Sequence, residues 1–269
     1  MGMLDGKTAI VTGATHGIGR AIAIAYASEG AHVVACGRDE PALASLAAAI
    51  GGRCVAQRAD VQSEADIEAA VRIATERFGG LDIALNAAGT GGSTSLVRNA
   101  DLAAAEETWR TNVLGVLACM KHESRVMRQR GRGTIINVSS LSGKMPAKAM
   151  AAYCGSKAAV NMMTEVAALE LGEFGVRVNA IGPGAIDTRM TEWMKLPGIG
   201  EAIVSETPLG RIGQTGDLTG LALYLASDAS SFVTGQVFYA DGGASLMRYP
   251  DLPALFRSLR DNAPPQAPS

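Results

Sequence analysis

Short runs of β-branched and aliphatic residues recur along the chain: "KTAIVT", "AHVVAC", "CVAQ", "LDIALN", "GTIINVS", "VRVNAI" and "QVFYA". Between them the apolar positions take up a helical period, as in "GRAIAIAYASEG", "DEPALASLAAAIGG", "SEADIEAAVRIATERFGG" and "AAAEETWRTNVLGVLACMKHESRVMRQR". Glycines at 30, 51 and 79 punctuate the helix ends. The strand–helix alternation runs from Lys7 to about Ala240. Strands that are almost continuously hydrophobic are buried on both faces, which requires a parallel sheet with helices on each side. The pattern therefore predicts one doubly wound α/β domain of the Rossmann type, with a mainly parallel seven-stranded sheet over residues 1–248.

Two stretches break this rhythm. "DTRMTEWMKLPGIGEAIVSETPLGRIG", interrupted by Pro197 and Pro208, reads as an excursion of short helices over a site. Residues 249–269 read as a C-terminal extension whose Pro-rich end, "RDNAPPQAPS", is expected to fray.

Composition narrows the partners. A formal charge of −2 on 269 residues argues against a nucleic-acid or anionic-membrane partner held by bulk electrostatics, so a small molecule or another protein is expected. The basic run Lys121, Arg125, Arg128, Arg130 and Arg132 closes a predicted helix, where the carboxyl end of the dipole and water account for it. Cys36, Cys54, Cys119 and Cys154 lack metal-ligand spacing, and His16, His32 and His122 form no close pair, so no metal is expected. The amino terminus has no basic segment leading into an apolar one, and no uninterrupted apolar run reaches about 18 residues. A cytoplasmic, reduced protein is the expectation.

Candidate chemistry begins at "TGATHGIGRAIA", which follows the first strand and opens the first helix. Its residues Gly13, Thr15, His16, Gly17, Ile18 and Gly19 suit a dinucleotide turn. Small residues let the backbone approach a pyrophosphate, and the helix amino end faces the negative charge. The spacing is GxxxGxG rather than GxGxxG. At the end of the second strand, where an acidic residue would bind the ribose hydroxyls of NAD, the chain offers Gly37 and Arg38. A planar guanidinium suits a 2′-phosphate, which favours NADP and leaves NAD possible. Arg38 could equally begin the next helix and face solvent, with Asp39 as the cap. Further along, "AMAAYCGSKAAV" sets Tyr153 one helical turn before Lys157. An ammonium on the same face would favour the phenolate and lower its pKa. Packing of Tyr153 and solvation of Lys157 would serve the same pattern.

Together these residues resemble the short-chain dehydrogenases/reductases in their single-domain branch, from "TGATHGIG" through "DGG" at Asp241 to Gly243. Asn86, Ala87, Ala88 and Gly89 match the family's NNAG element, with alanine at its second position. Asp60, beside Val61, matches the adenine-binding aspartate, and Asn112 in "WRTNVLG" the active-site asparagine. Ser140, thirteen residues before Tyr153, matches the catalytic serine, with Ser139 and Ser142 as neighbouring candidates. Pro183, Gly184, Ile186 and Thr188 match the segment that borders the nicotinamide.

The resemblance implies a role for each. Tyr153 gives or takes the proton, Lys157 lowers its pKa and holds the nicotinamide ribose, Ser140 bonds the substrate oxygen, and Asn112 anchors a relay water. Outside the carboxyl ends of the strands, a secondary alcohol or ketone would lie among Ser140, Met145, Tyr153, Met190, Trp193 and Met194, with Leu196, Ser93, Thr94 and Cys154 nearby, although packing explains a Met/Trp stripe at helical spacing equally well. β-Ketoacyl carrier-protein reductases and sugar or polyol dehydrogenases remain alternatives within the family. A non-catalytic nucleotide-binding regulator on the same fold is the alternative outside it. The resemblance also implies a homotetramer built on the helices around 103–127 and 152–172 and on the segment after Ala240. Residues from Ser245 to about Arg260 would close a neighbour's pocket or cover their own subunit.

Overall fold

Seven strands form one sheet: β1 (Thr8–Thr12), β2 (His32–Gly37), β3 (Cys54–Arg58), β4 (Ile83–Asn86), β5 (Gly133–Val138), β6 (Val176–Pro183) and β7 (Val237–Ala240). This is a computed structural model, and it describes residues 2–196 and 198–246. The expectations for the 249–269 extension lie outside the described residues. The strand order is β3-β2-β1-β4-β5-β6-β7, and every pairing is parallel.

Alternation along each strand feeds two cores. Ala9, Val11, Val33, Ala35, Leu85 and Ile136 pack with Ile22 and Tyr26 of α1 (Gly17–Ser28), Leu43 and Leu46 of α2 (Glu40–Ile50) and Leu225. Ile10, Val34, Ala84, Ile135 and Val178 pack instead with Ala70 and Val71 of α3 (Glu64–Phe78), and with apolar residues of two later helices. Strand faces buried on both sides are the reason the sequence runs were hydrophobic without a polar alternate. Helix ends follow local chemistry: the Asp39 carboxylate accepts from Ala42 N at 3.0 Å to start α2, and Gly79 at φ 79° ends α3. The described residues form a single domain.

The periodicity predicted one helix over about 103–130, and the chain divides it. α4 (Leu102–Trp109) passes through a wide π-helical turn, Arg110–Leu114, into α5 (Gly115–Arg130). Side-chain hydroxyls compete for carbonyls here: Thr108 donates to Ala104 O at 2.9 Å and Thr111 to Glu107 O at 3.2 Å. The extra residue in the turn leaves Asn112 fully buried beside α6 (Ala151–Leu171). The Asp187–Gly213 excursion forms a short helix over Arg189–Lys195 and then α7 (Ile199–Ser205), before α8 (Thr219–Ala226) returns to the sheet. Among the described residues, no helix is long and apolar enough to cross a membrane.

Because β1 lies between β2 and β4, the chain's connections leave in opposite directions on its two sides. A crevice opens where they part, beyond the carboxyl ends of the strands.

Candidate active site

A cavity of about 550 Å³ occupies that crevice, lined by the turn after β1, the ends of β2 and β3, and the Ala87–Gly89 loop after β4. Its walls depend on missing side chains. A Cβ on Gly13 would come within 2.7 Å of Ala88 N, and one on Gly19 within 2.4 Å of the Gly13 carbonyl oxygen. One on Gly37 would meet Thr15 Cγ2 at 2.5 Å. The amino end of α1 carries no acidic residue in its first turn and no side-chain cap, so its N–H groups and dipole remain available to an anion. A dinucleotide fits this donor set. Thr15, His16, Gly17, Ile18, Gly19, Arg38, Asp60, Val61, Ala87, Ala88, Gly89 and Thr188 of the expected cofactor residues line this cavity together with Gly13. Thr12, Cys36, Ala59, Thr111, Arg189 and Met190 line it as well. Arg38 is largely exposed, with Nη1 at 3.7 Å from Asp60 Oδ2.

A smaller cavity of about 110 Å³ adjoins it and holds Ser140, Tyr153 and Lys157 together with Pro183, Gly184 and Ile186. Ile18, Ala87, Gly89, Thr188 and Met190 belong to both cavities. Ser140 begins the tight turn Leu141–Gly143 after β5, and its Oγ accepts from Ser142 N at 3.1 Å. Lys157 is buried, and its Nζ donates to Val138 O at 2.8 Å while lying 5.9 Å from the centre of the Tyr153 ring. The two groups thus share one side of α6.

Their electrostatics differ from the sequence expectation. Burial pushes the Tyr153 phenol above its ordinary pKa, and the group that draws it down is the Ser140 side chain, not the lysine. Burial likewise lowers Lys157 to about 8. Both groups are desolvated, and desolvation disfavours the charged form of each.

Two expected residues face elsewhere. Asn86 is buried and lines neither cavity: its Nδ2 donates to Glu123 Oε2 and to Asn137 Oδ1, each at 3.0 Å, and its Oδ1 has no partner. Asn112 also lines neither. Its Oδ1 accepts from Thr90 N at 2.8 Å, and its Nδ2 donates to Thr90 O at 2.9 Å and Ser156 Oγ at 3.1 Å. The side chain is a clip between the cofactor loop and α6, with its polar atoms already engaged, rather than an evident water anchor.

On the substrate side only Met190 of the expected apolar residues lines a cavity. Trp193 is exposed, and Met145, Met194, Leu196, Ser93, Thr94 and Cys154 lie outside both linings. On the short Arg189–Lys195 helix the chain kinks at Thr191, whose hydroxyl donates to Ile186 O at 2.5 Å and whose Oγ1 also accepts from Thr188 N at 3.0 Å. Pinned there, the short helix does not continue the Met/Trp stripe as one inward face. Thr90, Val138 and Thr191 are cavity residues that the sequence reading missed, and Ser139, the neighbouring candidate to Ser140, lines the cavity as well. Thr90 directly follows the "NAAG" match, and that adjacency was the available signal.

A doubly wound sheet with a dinucleotide-sized crevice, opening onto a serine, a tyrosine and a buried lysine, defines a nicotinamide-dependent class of enzyme. A family model described as Enoyl-(Acyl carrier protein) reductase matches residues 13–245. Galactitol 2-dehydrogenase of Agrobacterium fabrum is 37% identical over 251 residues, 89% of this chain and 98% of that protein. 2,5-Dichloro-2,5-cyclohexadiene-1,4-diol dehydrogenase of Sphingobium indicum is 37% identical over 246 residues, 90% of this chain and 98% of that protein. Among solved structures, gluconate 5-dehydrogenase from Burkholderia cenocepacia, in complex with NADP and tartrate, superposes with a TM-score of 0.86 at 32% identity. The match covers 90% of this chain and 96% of that one. The chain belongs to the short-chain dehydrogenase/reductase family and is an NAD(P)-dependent oxidoreductase.

Glu123 gives this site a measurable pH signature. It lies on the buried face of α5 with Val116, Met120 and Met127, next to Cys36 and Cys119, and burial raises its carboxyl from 4.5 to about 7. The folded chain then holds a proton that the unfolded chain has released, so stability declines as pH rises from about 4.5 to about 7 and levels off above. Glu123→Gln is expected to flatten that decline, measured as denaturant midpoints at several pH values across the window.

Proposed function

We propose that this oxidoreductase interconverts a secondary alcohol and its ketone, with NADP as the favoured coenzyme and Tyr153 exchanging the proton. The observation that carries the reading is the juxtaposition of Ser140, Tyr153 and Lys157 in one small cavity continuous with the dinucleotide crevice. The bound nicotinamide supplies or takes up the hydride. The protein's part is position and proton traffic. A buried phenol with a raised pKa is protonated at neutral pH, the state required to give a proton to the alkoxide developing on the substrate's carbonyl oxygen. Ser140 Oγ, which accepts from Ser142 N, keeps its own proton to donate to the same oxygen and stabilise the charge there. Lys157, anchored on Val138 O, has N–H donors to spare for a ribose hydroxyl. In the oxidative direction the same phenol, once ionised, takes the hydroxyl proton.

Support for NADP comes from the end of β2. Arg38 and Gly37 line the crevice, and the contact of Gly37 with Thr15 leaves no room for a carboxylate at that position. Asp39, the next acidic residue, is occupied in capping α2 and lies 3.8 Å from His16. The catalytic cavity mixes apolar walls, Ile18, Val138, Ile186 and Met190, with the hydroxyls of Thr90, Thr188 and Thr191, which suits an alcohol or ketone of apolar or mixed character.

Assembly is proposed through α5 and α6. Leu114, Leu117, Met162, Val166 and Leu169 are exposed along them, an apolar area suited to a second copy in a homotetramer.

Initial rates across secondary ketones, cyclic ketones and sugar alcohols, each run with NADPH/NADP and NADH/NAD, test the substrate class. Tyr153→Phe is expected to lose turnover by several orders of magnitude while a fluorescence titration still registers cofactor binding; undiminished turnover would remove the tyrosine from the mechanism. Arg38→Asp should shift the ratio of kcat/KM values toward NAD, and an unmoved ratio would show that the phosphate is read elsewhere. Light scattering on the intact chain should return four times the 27.7 kDa subunit mass.

A further inference from the structure

We propose that Asn161 is a positioning residue for Ser140: its amide fastens the turn that carries the serine onto the helix that carries Tyr153 and Lys157. The proposal rests on the catalytic assignment of Ser140 above. Ser140 stands between two points of attachment. On one side, Ser139 Oγ donates to Asn161 Oδ1 at 2.5 Å and contacts Lys157 O at 3.2 Å. On the other, Asn161 Nδ2 donates to Gly143 O at 3.3 Å. One planar amide thus accepts from the residue before the serine and donates to the end of the turn after it, a pairing that needs both an oxygen and an NH₂ on the same short side chain.

Close packing supplies an independent observation. A Cβ on Gly143 would lie 2.9 Å from Lys157 C and O and 2.9 Å from Asn161 Nδ2, so the turn rests directly on the backbone of α6. Asn161 Nδ2 also donates to the Tyr239 hydroxyl at 3.3 Å, and that ring packs against Gly182, where a Cβ would come within 2.6 Å. The clamp is therefore tied to β6 and β7 as well as to α6. None of Asn161, Gly143 and Tyr239 lines the catalytic cavity. Their influence on the reaction passes through the placement of Ser140 opposite Tyr153.

The test is a kinetic double-mutant cycle, run with the ketone of highest kcat/KM from the panel above. Asn161→Ala is expected to lower kcat roughly 10- to 100-fold, the scale of a misplaced catalytic group, with the dissociation constant for NADPH unchanged. In a Ser140→Ala background the same substitution should cost nothing further. The contact with Ser140 draws the Tyr153 phenol down, so loosening it should move the tyrosine titration to higher pH. An ultraviolet difference titration of the cofactor-free chain, referenced to Tyr153→Phe, reads that shift without turnover. Should Asn161→Ala fail to fold, Asn161→Asp keeps the acceptor for Ser139 and loses the donor to Gly143, and the same pattern is expected of it. Wild-type kcat in the folded Asn161 variant, or an equal loss in both backgrounds, overturns the proposal and leaves the serine's role intact. Full activity in Ser140→Ala alone removes the serine assignment and the proposal with it.

Discussion

A sheet buried on both faces can release its polar side chains only at its ends, and that constraint organises this molecule. Along β1, β4 and β5 the central residues are aliphatic, and at or just beyond the carboxyl ends come Thr12, Asn86, Asn137, Ser139 and Ser140. Being parallel, the strands all finish at one edge of the sheet, so these groups collect there, over the crevice where the strand order reverses. The glycines at 13, 19 and 37 belong to the same constraint. Main chain approaches main chain or a packed threonine at distances that leave no room for a Cβ.

Polar groups brought to that edge are then shared between support and chemistry. Asn86 and Asn112, though adjacent to the cofactor loop, serve the scaffold: one is bound to Glu123 and Asn137 beneath the loop, the other clips Thr90 to Ser156. Ser140, Tyr153 and Lys157 are left facing the cavity. Supporting hydrogen bonds of this kind hold a site to the tolerance that proton and hydride transfer demand.

Burial is the first influence on the ionisation of Tyr153 and Lys157. It raises the phenol and lowers the ammonium, which disfavours charge on both. The phenol is held neutral this way, and the adjoining serine moderates the shift. Lys157 is anchored on Val138 O and lines the cavity.

The sequence by itself determined the doubly wound sheet, its strands, the dinucleotide turn and the pairing of Tyr153 with Lys157, because each depends on short-range chemistry, whereas Ser140 was marked only by the family resemblance. Continuous apolar runs require two-sided burial, a glycine-rich turn requires close approach, and a spacing of four requires one helix face. Tertiary structure alone decided what depends on distant partners. Partners distant in sequence, Thr90 and Ser156, engage the Asn112 that the π-helical turn sinks, and Trp193 stays exposed on a short helix whose Thr191 is tied back to Ile186. Glu123 sits at a legible core position on α5, yet only the asparagine and cysteines that meet it there give the buried carboxyl its environment. The direction of the tyrosine's pKa likewise follows from how much water surrounds two side chains, a property of the packed chain that residue spacing does not encode.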